Sequence, residues 1–97
     1  MIIVWGSIEA RAEQFDEVLR FCLEHVHRSR SEPGCISHSV QIDAENPNRL
    51  VFFEEWQDMP SLQTHFEVPE SRVFIKGVSP LAVGAPDMKI YDATPAN

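Results

Sequence analysis

The sequence is short of several things at once. It has only two cysteines, Cys22 and Cys35, in 97 residues, and no C-x-x-C pair. Two thiols are too few for a disulfide framework and fit a reducing, cytoplasmic setting, where they serve as small hydrophobes. Positive charge is scarce: two lysines and six scattered arginines face 15 acidic side chains, for a net charge of −7. Affinity for nucleic acid comes mostly from counterion release by Lys and Arg, so no nucleic-acid partner is expected. The apolar start, Met1-Ile2-Ile3-Val4-Trp5-Gly6, lacks a preceding basic stretch and is too short for a signal core or a membrane span, so no membrane partner is expected either. Glycine-rich phosphate loops and the G-x-S-x-G elbow are missing. The four histidines include no H-x-x-x-H, and His25 and His27 stand two apart, about 200° around a helix, where they cannot grip one ion together. No dedicated metal site is expected.

What is present reads as one domain over residues 1–97. In a chain this small a pocket competes with the packing of its own core, so help from a second copy is expected. Ile2 to Ile8 is rich in β-branched and aromatic residues, with apolar side chains on both faces, and reads as a central strand. From Ala12 to Ser31 the residues Phe15, Val18, Leu19, Cys22 and Val26 recur at helical spacing, which predicts a long amphipathic helix ended by Glu32-Pro33-Gly34. Cys35 to Asp43 alternates, placing Ile36, His38, Val40 and Ile42 on one face of a half-buried strand. Residues 44–48 have hairpin-loop chemistry, and Arg49 to Trp56 reads as the next strand. Two short helices, to about Phe66 and then Glu70 to Val78, lead through a Pro/Gly loop to a last strand at Met88–Asp92. The order β-α-β-β-α-β predicts an α+β, ferredoxin-like split βαββαβ fold: a four-stranded antiparallel sheet with helices on one face.

The third strand carries the most chemical information. Leu50, Phe52, Glu54 and Trp56 share one face, and Val51, Phe53 and Glu55 share the other. A carboxylate held against aromatic rings is desolvated, its pKa rises, and it becomes a general acid or base near neutral pH. A one-residue register shift exchanges the two faces, so the strand alone does not say which glutamate looks inward. Nine residues after Trp56 comes His65, flanked by Phe66 near the end of a short helix, from where it can point back toward the sheet as a proton acceptor or capture the last helix carbonyls. His38 lies on the apolar face of its strand, in the core or lining a pocket. His25 reads as structural and His27 as solvated.

Taken together, Glu32-Pro33-Gly34-Cys35-Ile36, the loop Asp43 to Leu50, Phe53-Glu54-Glu55-Trp56-Gln57-Asp58 and His65-Phe66 make a sequence that resembles the antibiotic biosynthesis monooxygenase family, its quinol monooxygenases in particular. The resemblance spans essentially the whole chain. It implies a dimeric α+β barrel, a pocket between sheet and helices in each subunit, and cofactor-independent oxidation of hydroquinones, anthrones or related phenols by molecular oxygen. Haem-degrading relatives carry an asparagine and a haem-ligating histidine where this chain has Ser7 and the neighbourhood of Ile75, so haem chemistry does not carry over.

The expectation is a homodimeric monooxygenase with no cofactor, acting on a small aromatic substrate and oxygen. His65 and Glu54 are the catalytic candidates, with Glu54 as the polar partner that tunes His65. Trp56, Phe74, His38 and Phe66 are the candidate substrate-binding residues. The acidic net charge argues against a phosphorylated substrate and for a neutral aromatic one. An isomerase of a small signal-type metabolite on the same fold, and a non-catalytic module that holds a quinone, are the alternatives.

Overall fold

The computed structural model describes residues 1–97. Its elements run β1 (Ile2–Glu9), α1 (Phe15–Ser29), β2 (Cys35–Asp43), β3 (Asn46–Trp56), α2 (Met59–Glu67), α3 (Pro69–Val78) and β4 (Asp87–Asp92), with 3-10 turns at Ala12–Gln14 and Ser79–Leu81. The strands form one antiparallel sheet in the order β2-β3-β1-β4, the topology expected of a ferredoxin-like unit. β1 is central, as its two apolar faces require. No helix is long and apolar enough to cross a membrane.

Each helix covers the same side of the sheet because its apolar stripe needs a partner. α1 buries Val18, Cys22 and Val26, and it carries Asp16 and Glu17 in its first turn and His27 and Arg28 in its last, the arrangement favoured by the helix dipole. It stops at Ser29, and the turn that follows uses Gly34 at φ 84°, a left-handed conformation that costs glycine least. The Gly34 carbonyl accepts from the Gln57 backbone N–H at 2.8 Å, tying this turn to the end of β3. Asp58 caps α2, accepting from the Ser61 N–H at 2.9 Å and its hydroxyl at 2.6 Å.

The sequence expectation fails in two places around β2. The segment 44–48 is not a five-residue loop: the turn is Ala44-Glu45, and β3 already begins at Asn46. Ile36 does not share the inner face with His38. The register steps between Cys35 and Ser37, so Cys35 sits opposite Trp56, His38 opposite Glu54, and Ile36 is the extra residue, turned out and 54% exposed. Strict alternation cannot foresee such a bulge.

The inner face holds two hydrophobic clusters. One gathers Ile8, Val18, Cys22, Val26, Leu50, Phe52, Phe74 and Val78 under α1 and α3; the other gathers Ile2, Val4, Trp56 and Leu62 under α2. The seam between them contains the buried polar residues His25, His38, Glu54 and His65. The opposite face is left open, with Phe53 and Tyr91 exposed and the Arg49 and Lys89 charges lying over the Trp5 ring at 5.6 and 5.9 Å.

Candidate functional site

Three histidines from three elements meet in the seam: His25 from α1, His38 from β2 and His65 from α2, all buried. Their ring centroids lie 5.1 to 5.5 Å apart. Aromatic rings hold them from behind. His25 stacks on Phe74 at 4.1 Å, His65 lies 4.7 Å from Trp56, and His38 stands edge-on to Phe52 and Trp56 at 6.3 Å from each.

The hydrogen bonds determine what each ring can do. His65 Nδ1 lies 2.8 Å from Glu32 Oε1, and a carboxylate only accepts, so Nδ1 carries the proton and Nε2 keeps a free lone pair. His25 Nδ1 lies 2.8 Å from Arg28 Nη2, and a guanidinium only donates, so in the neutral ring Nδ1 accepts and Nε2 carries the proton. Two adjacent imidazoles are therefore held in opposite tautomers, one with a base at Nε2 and the other with a donor there. Arg28, in the last turn of α1, and Glu32, in the turn that follows, are neighbours, with Nε 3.6 Å from Oε2, so the two fixings are coupled.

His38 differs from both: neither of its ring nitrogens has a hydrogen-bond partner. Its Nε2 approaches Glu54 Oε1 to 3.3 Å, off hydrogen-bonding geometry. Glu54 Oε1 instead accepts from the Trp56 indole N–H at 2.9 Å. The expectation that Glu54 is the partner of His65 is thus corrected: Glu32 holds His65, and Glu54 belongs to Trp56 and His38. β3 turns Glu54 inward because it pairs with His38 and Val4, and it turns Glu55 outward to accept from Ser37 at 2.7 Å.

Burial sets the protonation states. It is the first cause that pushes His25 down to about 2, helped by the charges of His65, His38 and Arg28. His38 is pushed down to about 3, by burial first and then by His65, Arg30 and Arg28. Burial also lowers His65, against the upward pull of the Glu32 carboxylate. Glu54 is driven up to about 7 by burial, with the Trp56 hydrogen bond pulling the other way. The site at neutral pH holds three neutral imidazoles and one carboxyl group that exchanges its proton near neutrality.

His25, His65 and Glu54 floor a cleft of about 490 Å³ between sheet, α3 and the start of β4. Of the residues named from sequence, His65, Glu54, Phe74 and Phe66 line it. Trp56 and His38 do not: each is sealed in the layer behind, Trp56 beneath α2 and His38 beneath His25 and His65, so neither forms a pocket wall. His25, which the sequence presents as structural, does line the cleft. The available signal was its spacing to Arg28, three residues on along the same helix face.

As a metal-holding set, His25, His38 and His65 each offer one nitrogen, and these lie within 4.8 Å of one another. Tetrahedral zinc bonds of about 2.0–2.1 Å require nitrogens about 3.3 Å apart. His25 would in addition have to surrender either its Nε2 proton or the bond from Arg28. The imidazoles as they stand fit proton handling better than ligation.

Comparison with known proteins agrees with this architecture. Over 90 residues the chain is 33% identical to the uncharacterized protein sll1783 of Synechocystis sp., covering 93% of this chain and 61% of that protein, so it spans about three-fifths of that relative's length. It superposes on the crystal structure of an antibiotic biosynthesis monooxygenase with a TM-score of 0.91 and 26% identity, covering 98% of this chain and all of the other. On a Deinococcus radiodurans protein given the same family name the TM-score is 0.95 at 25% identity, covering all of this chain and 96% of that one. Residues 1–77 match the family profile itself, and with the fold in agreement the chain belongs to the antibiotic biosynthesis monooxygenase family.

Proposed function

We propose that the protein is a cofactor-independent monooxygenase that oxidises a hydroquinone or polycyclic phenol with molecular oxygen. The observation that carries this is the Glu32–His65 pair, which presents an uncharged, singly protonated imidazole to an apolar cleft. His65 Nε2 takes the phenolic proton, and the Glu32 carboxylate on Nδ1 stabilises the imidazolium that results. The His25 Nε2–H is the donor for oxygen that becomes negative, either on the phenolate or on reduced dioxygen. Glu54 supplies the second exchangeable proton.

The phenolate is electron-rich enough to pass one electron to oxygen directly, and Phe74, Phe66 and Phe52 keep water from the radical pair. Recombination forms a carbon–oxygen bond. Loss of the ring proton and cleavage of the O–O bond then give water and a hydroxyquinone from a hydroquinone, or a quinone from a phenol, so one atom of O₂ enters the product and all the electrons come from the substrate. A homodimer formed through the open face of the sheet completes the proposal, supported by the aromatic rings of Trp5, Phe53 and Tyr91 on that face.

The test is oxygen uptake with a dihydroxynaphthalene, corrected for autoxidation, in ¹⁸O₂. Wild type should consume oxygen and place one labelled atom in the product. His65→Ala should lose about 10²–10⁴-fold in kcat, the usual worth of a positioned base. Equal rates in the two proteins would remove His65 from the mechanism, and an unlabelled product would remove the monooxygenase.

A further inference from the structure

The chain is acidic overall, yet its few cations are unevenly used. Arg20 pairs with Glu17 and Glu24, Arg28 with Glu32, and Arg49 with Asp43. Arg30 donates to the His38 carbonyl at 3.0 Å, and Lys89 lies over the Trp5 ring. That leaves Arg11, Arg72 and Lys76 with no acidic, aromatic or carbonyl partner for their side chains. Two of those three, Arg72 and Lys76, line the cleft. They stand four residues apart on α3, hence on one helix face a turn from each other. Asp87, on the β4 side of the rim, forms an ion pair with neither. The other carboxylate of the cleft, Glu54, is buried at its floor and held by Trp56.

We infer that the substrate taken by this cleft carries a carboxylate, held at the rim by Arg72 and Lys76, while its phenolic ring reaches the histidines below. The inference rests on the proposed function for the phenol and adds the acid. A guanidinium presents a planar fork that matches a carboxylate, and an ammonium one turn away adds a second point charge. A charged group at the mouth and an apolar body inside also fix which way round the ligand enters. The cleft, at about 490 Å³, has room for a bicyclic or tricyclic acid. The expectation of a neutral substrate followed from the net charge of the whole chain, whereas these two cations act at short range where the ligand binds.

The experiment compares dihydroxynaphthalene with dihydroxynaphthoic acid in wild type and in the Arg72→Gln/Lys76→Gln double variant, at low salt. The ratio of their KM values should favour the acid by about tenfold in wild type, the worth of two exposed charges, and should fall to about one in the double variant and in high salt. A ratio that is the same in both proteins overturns the inference. If neither compound is turned over, the monooxygenase proposal fails separately, and the inference is then decided by calorimetric binding of naphthoic acid against naphthol in the same two proteins. Tighter binding of the acid that depends on Arg72 and Lys76 supports it, and equal binding overturns it. Naphthyl phosphate displacing naphthoic acid at lower concentration would overturn the carboxylate in favour of a phosphate.

Discussion

Glu32 Oε1 and His65 Nδ1 are 2.8 Å apart although 33 residues separate them, so the turn after α1 sets the protonation pattern of a side chain on α2. Glutamine at 32 can still accept the Nδ1 proton but brings no charge. Because the carboxylate pulls the His65 pKa upward, Glu32→Gln should move the acid limb of the kcat–pH profile to lower pH. It should also lower kcat by about 10–100-fold, because the imidazolium formed at His65 loses its countercharge, and each pKa unit so lost is worth about tenfold. An unmoved acid limb would mean that the titration belongs to another group.

The pH dependence of stability follows from four buried groups. Glu54 has a folded value of about 7 against an ordinary 4.5, so it favours folding below 4.5, and this contribution is lost as the pH rises through 7. The depressed histidines act oppositely: their contribution is present above 6.5 and is lost as the pH falls toward their folded values. Three histidines outweigh one glutamate between pH 4.5 and 6.5, so stability should peak between about 6.5 and 7. Glu54→Gln should raise stability at pH 8 by about 1–3 kcal/mol and leave little gain at pH 4.5. Urea melts at three pH values decide this; a gain independent of pH would refute it.

His38 is 2% exposed with two unpartnered ring nitrogens, and it already packs edge-on against Phe52 and Trp56. His38→Phe keeps the ring and removes the unsatisfied atoms, so it should stabilise the protein by about 1–2 kcal/mol and raise Tm by roughly 5–15 °C. A lower Tm would show that these nitrogens are satisfied in solution.

Gly34→Ala should destabilise by more than the 1 kcal/mol or so expected from the left-handed backbone alone. A Cβ at Gly34 would run into the Ser61 side chain at the start of α2 as well. Pairing it with Ser61→Gly should restore part of the loss in a denaturant melt and leave the backbone part. No recovery would mean that the collision is relieved elsewhere.

Much of the fold is legible in residue order, because hydrophobic spacing is a direct record of which side chains face the sheet. The strand from Ile2 and the helix through Phe15, Val18, Cys22 and Val26 follow from it. What escapes are features set by pairing between strands. The bulge that turns Ile36 outward and Cys35 inward depends on how β2 meets Trp56, and the same pairing chooses Glu54 over Glu55. Asn46-Pro47-Asn48 has turn composition yet extends β3, since the hairpin closes with two residues. Within the site, His65 stands out from its place after Trp56. Its partner Glu32 depends on how the turn after α1 meets α2, which no local pattern encodes, and the role of His25 shows locally only in its spacing to Arg28.

The side chains that handle protons all come from residues 25–65, whereas the rim and outer wall of the cleft come from Phe66, α3 and the start of β4. On the proposed function, reactivity and choice of ligand then fall largely on consecutive stretches of the chain. Exchanging the stretch after α2 for that of a relative should re-address the same proton chemistry to a differently shaped or charged molecule, so this protein is a natural host for grafting new substrate preferences by a single crossover.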